Sequence, residues 1–150
     1  MKSIRVRTLK LTKQTDHSFR VLMFLAAQQS EQLVTIAQVT QVFDLSKDSV
    51  MKIVQRLAKA GIIEAVRGKS GGMRLAKVPS EINLREVVEI TEPSLAPVNC
   101  EKPACKISSD CQLAGILFAA SEQFLNHIGQ YTLADVVKSD SQTVYLLKLD

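Results

Sequence analysis

No apolar run in this 150-residue sequence approaches the roughly eighteen residues that a membrane-spanning helix needs, so no membrane association is expected. The N-terminal stretch "MKSIRVRTLKLTKQTD" is basic. It lacks an apolar h-region and a small-residue cleavage site, so it does not read as a secretory signal. A cytoplasmic protein with reduced thiols is expected. Internal repeats and low-complexity tracts are missing. So are a catalytic acid/base pair and a second cofactor motif, which argues against an enzyme. Cysteine is absent everywhere except in "VNCEKPACKISSDCQ", which holds Cys100, Cys105 and Cys111.

The net charge of +4 conceals an asymmetry. Residues 1–80 carry 14 Lys/Arg against 5 Asp/Glu, a net of +9, and residues 81–150 carry 5 against 10, a net of −5. A basic half joined to an acidic half suggests that the first half meets a polyanion.

In that basic half, "TDHSFRVLMFLAAQQ" places Phe19, Leu22, Met23 and Ala26 at helical spacing, with Thr15 or Asp16 as the cap. Thr35 can cap a short second helix with Ile36, Val39 and Phe43 inward. "DLS" makes a turn, and Ser46 caps a third helix with Val50, Ile53, Val54 and Leu57 inward. Gly61 stands where a helix stop needs a left-handed residue. Two short helices across a three-residue turn make a helix-turn-helix. The outer face of the third helix is Lys47, Asp48, Ser49, Lys52, Gln55 and Arg56, and its N-terminal end, with Ser46, can reach base edges in a major groove. "IIEAV" and "MRLAK" read as two strands joined by "RGKSGG". The hairpin offers Arg67, Lys69 and Arg74, and its glycines let backbone approach phosphate. Double-stranded DNA is the expected partner.

The acidic half begins with a short helix in "SEINLREVVEITEP", capped by Ser80 or Asn83, with Leu84, Val87 and Val88 inward. Pro93 and Pro97 then enforce an irregular stretch. After Asp110, "CQLAGILFAASEQFLNHIG" reads as a long helix with the apolar stripe Leu113, Ile116, Leu117, Ala120, Phe124 and Ile128, broadened by Phe118 and Leu125. So wide a stripe needs a partner, and a second copy would make a homodimer. "YTLADVV" is a last short helix, and the final dozen residues read as a loose tail or short strand. The expected fold is mainly α with a small β-hairpin wing: a winged helix-turn-helix plus a long dimerisation helix. The boundaries are 1–8 for an N-terminal extension, 9–80 for the DNA-binding domain, 81–138 for the cysteine loop and dimerisation helix, and 139–150 for the tail.

The cysteines form a C-x4-C-x5-C array. Three is one too many for a disulfide and one too few for a four-thiolate site. Cys111 falls in the first turn of the long helix, where the helix dipole favours negative charge. Soft thiolates select iron–sulfur clusters, zinc or Cu(I). Zinc sites usually carry paired C-x2-C arms, which this array lacks. Wider, uneven spacing suits a larger cluster, with zinc or redox thiols left open.

The motifs "LTKQTDHSFRVLMFLA", "VMKIVQRLAKAGIIEAVRGKSGGMRLAK", "LAPVNCEKPACKISSDCQL" and "YTLADVV" resemble the iron–sulfur winged-helix transcription regulators over residues 9–138. The last motif leans toward that family's nitric-oxide-sensitive repressors rather than its sensors of iron–sulfur supply. The resemblance implies a dimeric repressor with a 2Fe–2S or 4Fe–4S cluster on Cys100, Cys105 and Cys111, and nitric oxide as the signal. It also implies that Asp16 of one subunit supplies the fourth ligand to the other subunit's cluster. His17 is the runner-up for that position, and helix capping is the alternative role for Asp16. The segment "MKSIRVRT" departs from the family's usual start. An iron–sulfur electron-transfer protein is the rival of another class, and a zinc-stabilised DNA-binding module without sensing is a further one.

Overall fold

The computed structural model describes residues 10–28, 31–138 and 141–148, so the N-terminal extension 1–8 lies outside the described residues. The elements are α1 (Lys13–Ala27), α2 (Ile36–Phe43), α3 (Lys47–Lys59), β1 (Ile63–Val66), β2 (Gly72–Leu75), α4 (Leu84–Thr91), α5 (Gln112–Ile128), α6 (Leu133–Val136) and α7 (Gln142–Leu147). No helix among the described residues is long and apolar enough to cross a membrane.

Side-chain caps set most helix starts. The Thr35 hydroxyl accepts from the Gln38 amide, and the Gln38 side chain accepts from the Thr35 amide, a capping box that fixes α2. The Ser46 hydroxyl accepts from the Ser49 amide at 3.3 Å and starts α3. Gly61 ends the turn after α3 at φ 71°, a conformation that costs glycine little. α1 begins earlier than its sequence suggests. Its cap is Thr12, whose hydroxyl accepts from the Thr15 amide at 3.4 Å. Thr12 is held there by a distant residue: its amide donates to Glu92 Oε1 at 2.7 Å. A tertiary bond of this kind leaves no local mark in the sequence.

The two strands pair antiparallel, Ile63 opposite Leu75 through Val66 opposite Gly72. Met73 also exchanges both backbone bonds with Val34 at 2.8 and 2.9 Å, which fastens the hairpin to the segment before α2. Winged-helix geometry is therefore present: α2, a turn, α3, then the hairpin.

One core holds these pieces together. Val21, Leu22, Phe24, Val34, Val39, Val50, Leu57, Ile62, Val87 and Leu133 are fully buried within it, and Phe24 meets Phe43 edge-on at 5.9 Å. Each such side chain contributes roughly 1.5–3 kcal/mol of burial. The core crosses position 80, since Ile82 and Val87 from the acidic half pack with α1 and α3. The stretch expected as a loose tail or strand instead contains α7. Ser141 caps it, Val144 is buried, and Gln28 Nε2 donates to the Leu147 carbonyl at 2.7 Å.

α5 behaves differently along its length. Its C-terminal half is tied to α4: Arg85 Nη1 donates to Glu122 at 3.1 Å and Asn126 at 2.9 Å, and Asn83 Nδ2 donates to the Gly129 carbonyl. Only Leu125 of the whole helix is buried. Leu113 and Ile116, at 62% and 65% exposure, and Phe118, at 47%, stand unpacked.

Candidate functional site

The exposed N-terminal end of α3 presents Ser46, Lys47, Asp48 and Lys52, with Ser49 half-buried beside them. Capping occupies part of Ser46, whose hydroxyl also donates to Ser49 Oγ at 2.7 Å. Arg67 and Lys69 stand exposed in the hairpin turn between β1 and β2. Gly68 takes φ 114° there, and the Gly71 amide closes the turn on the Gly68 carbonyl at 3.1 Å.

Two cations of the sequence reading are engaged elsewhere. Arg74 lies on β2 and donates to Glu64 at 2.8 Å and Glu31 at 2.6 Å. The hydrogen bond it donates to Glu64, then the charges of Glu64 and Glu31, raise its guanidinium above the ordinary value. Arg56 donates through Nη1 to the Thr91 carbonyl at 3.1 Å. Arg67 and Lys69 are thus the wing cations without a partner among the described residues.

The three cysteines are free and sit on the loop between α4 and α5. The Cys105 amide donates to the Cys100 carbonyl at 3.0 Å, and the Asn99 side chain accepts from the Glu101 and Lys102 amides at 3.0 and 3.1 Å. These bonds fold the first two cysteines into one compact turn. Cys111 caps α5, its sulfur accepting from the Ala114 amide at 3.4 Å. Ser121 Oγ donates to the Leu95 carbonyl at 2.9 Å and ties the loop's entry to α5. A cleft of about 590 Å³ lies beside Cys100 and Phe118, and another of about 490 Å³ beside Cys111 and Ile116.

Asp16 is not the cap of α1. Thr12 takes that role, and Asp16 accepts from Arg20 Nη2 at 2.9 Å one turn on. Both side chains are about half exposed, so this pair contributes little to stability. His17 lies in a small cleft with Lys13, Ser49 and Lys52, away from the cysteine loop's own clefts. Among the described residues, no three His, Cys, Asp or Glu side chains come together to hold a metal ion. The loop gathers the thiols without converging them on one point. As a donor set they fit a soft-metal group: three free thiols on one short loop, one at a helix N-terminus, beside open clefts.

Nothing in the local sequence signals that Arg56 bonds to the end of α4. Its place four residues after Lys52 puts both on one face, and only the folded position of α4 separates their roles.

The family model described as Rrf2, iron-dependent transcriptional regulator, matches residues 11–139. The HTH-type transcriptional regulator NsrR of Bacillus subtilis is 40% identical over 144 residues, covering 94% of this chain and 99% of that protein. The regulator of the same name from Halalkalibacterium halodurans is 38% identical over the same shares. Among solved structures, CymR, the global cysteine regulator of B. subtilis, superposes with a TM-score of 0.73 at 20% identity, over 89% of this chain and all of that one. IscR of T. potens does so with a TM-score of 0.69 at 22% identity, over 89% of this chain and 90% of that one. The relatives are named as transcriptional regulators, a non-enzymatic class, and the winged-helix fold is common to the solved structures. The chain belongs to the Rrf2 family of transcriptional regulators.

Proposed function

We propose that the chain is a homodimeric repressor of the cytoplasm that binds a double-stranded DNA operator and releases it in response to nitric oxide. Its cofactor is an iron–sulfur cluster, 2Fe–2S or 4Fe–4S, held by Cys100, Cys105 and Cys111, with Asp16 of the other protomer as fourth ligand. The observation that carries this reading is the pairing of two features on one core. Three free thiols lie on the α4–α5 loop, and an exposed basic face lies on α3 and the hairpin. The two relatives named NsrR support it at 38–40% identity over nearly the whole chain.

The cofactor supplies iron that reacts with nitric oxide. The chain's residues do the rest. Cys111 couples the loop to the start of α5, whose exposed apolar stripe meets its partner across the dimer. As a ligand to the group, Asp16 would tie the start of α1 to the partner's loop. Because α1 packs on α3, the two recognition helices keep a separation near one DNA turn, about 34 Å. Without the bonds that Asp16 and the cysteines would make to the group, that separation would no longer be held. A coupling of about 1–3 kcal/mol corresponds to a 5–150-fold change in affinity.

Lys47, Asp48, Ser49 and Lys52 face the major groove in this arrangement, with Ser46 at the helix start. Arg67 and Lys69 hold backbone phosphate. Anaerobic purification with iron and sulfide analysis and visible spectroscopy tests the cofactor. Iron and sulfide in every preparation, lost together from Cys100→Ala, are expected. A colourless full chain that binds operator as well as iron-loaded protein overturns the reading.

A further inference from the structure

We propose that Arg56 is a positioning residue for the recognition helix, linking α3 to the entry of the cysteine loop, and not a DNA contact. The inference rests on the regulator reading given under Proposed function.

The link is built at one junction. Arg56 stands on the same face of α3 as Lys52, one turn further from the DNA-facing end. Its Nη1 donates to the carbonyl of Thr91, the last residue of α4. Carbonyls at a helix end lack intrahelical donors, and the dipole there is negative, so a guanidinium is well matched to that site. Thr91 is fully buried, and its hydroxyl lies 2.9 Å from the equally buried Thr15 hydroxyl of α1. Next in the chain, Glu92 accepts from the Thr12 amide at the start of α1. Three elements therefore meet at residues 91–92: the far end of α3, the first turn of α1 and the end of α4.

Pro93 follows, and the chain enters the loop that reaches Cys100. Besides its tie to α5 through Ser121 and Leu95, this loop enters the core at Glu92 and Thr91, so displacing it pulls on that junction. Through Arg56 the pull acts on the end of α3 opposite its DNA-facing residues, so the helix turns as a lever. The cysteines need no direct contact with α3 to set its angle.

Arg56→Gln and Arg56→Met test the link in the full chain. Gln keeps a polar side chain, and Met keeps the apolar stem without any donor. Each protein is titrated with operator and with unrelated DNA, before and after iron removal. Wild type should lose operator affinity on iron removal, and a wild type that does not would overturn both this inference and the reading beneath it. With the wild type behaving so, both variants should bind iron normally. Their iron-loaded operator affinity should fall at least about tenfold, toward that of iron-free wild type. The salt dependence on unrelated DNA should not change. In iron-free protein, amide exchange in the last turn of α3 should quicken in both variants. An undiminished difference between iron-loaded and iron-free protein in both variants refutes the link alone. So does a salt slope on unrelated DNA reduced by about one, the mark of a lost phosphate contact.

Discussion

Replacing Ile116 by Asp should dissolve the dimer while leaving each protomer folded. Ile116 lies on the unpacked half of α5 at 65% exposure, so the substitution removes little from the protomer's own core. Full burial of such a side chain is worth roughly 1.5–3 kcal/mol. Two-thirds of that is still to be gained when a partner covers it, about 1–2 kcal/mol. In a two-fold interface each residue appears twice, which brings the loss to about 2–4 kcal/mol per dimer. At 1.4 kcal/mol per tenfold, the dimer dissociation constant should rise about 30- to 700-fold. A carboxylate trapped in the interface adds to this. Sedimentation equilibrium over a concentration series measures the constant, and far-ultraviolet circular dichroism with thermal melting checks the protomer. Dimerisation through this face is refuted if Ile116→Asp associates as tightly as wild type. It is also refuted if wild type stays monomeric throughout the series.

Further expectations concern the two candidate sites. Cys100→Ala, Cys105→Ala and Cys111→Ala should each abolish iron loading, because three thiolates leave no spare. Full iron content in any one of them contradicts the assignment. If a dimer neutralises some 6–10 phosphates, affinity should fall by about 10³–10⁵ between 50 and 200 mM salt. Lys69→Ala should weaken binding to all sequences alike, whereas Lys47→Ala should alter sequence preference more, as competition titrations would report. Asp16→Asn should lower operator affinity more than iron content. Thr12 already caps α1, so thermal stability should stay within about 0.5 kcal/mol of wild type. Wild-type spectra and operator binding in Asp16→Asn would return the fourth position to His17 or to water.

The parts of this fold legible in the sequence are those governed by local rules. Thr35 and Ser46 are good caps standing before apolar positions of helical period, and both cap as read. Val50, Ile53, Val54 and Leu57 fall on one stripe and are all buried. Gly61 takes the left-handed conformation a helix stop requires. Contacts between distant segments were not legible. The start of α1 depends on Glu92, 80 residues from Thr12. Arg74 reads as a wing cation until Glu31 and Glu64 are seen beside it. α7 is six residues long, too short for periodicity to distinguish from a strand, and its packing on α1 decides its form. For the candidate site, spacing alone reveals the clustering of the thiols. It does not reveal the turn around Asn99 or the cap formed by Cys111, because both depend on backbone geometry.

The central claim joins the cysteine loop to DNA binding. It is tested most directly by titrating anaerobically purified full chain, bound to its operator, with nitric oxide while following visible absorption and DNA release together. Both should change over the same few equivalents, and a Cys105→Ala protein should show neither the absorption nor the response. Operator release without any iron in the protein, or tight binding that nitric oxide leaves unchanged in fully loaded protein, would contradict it.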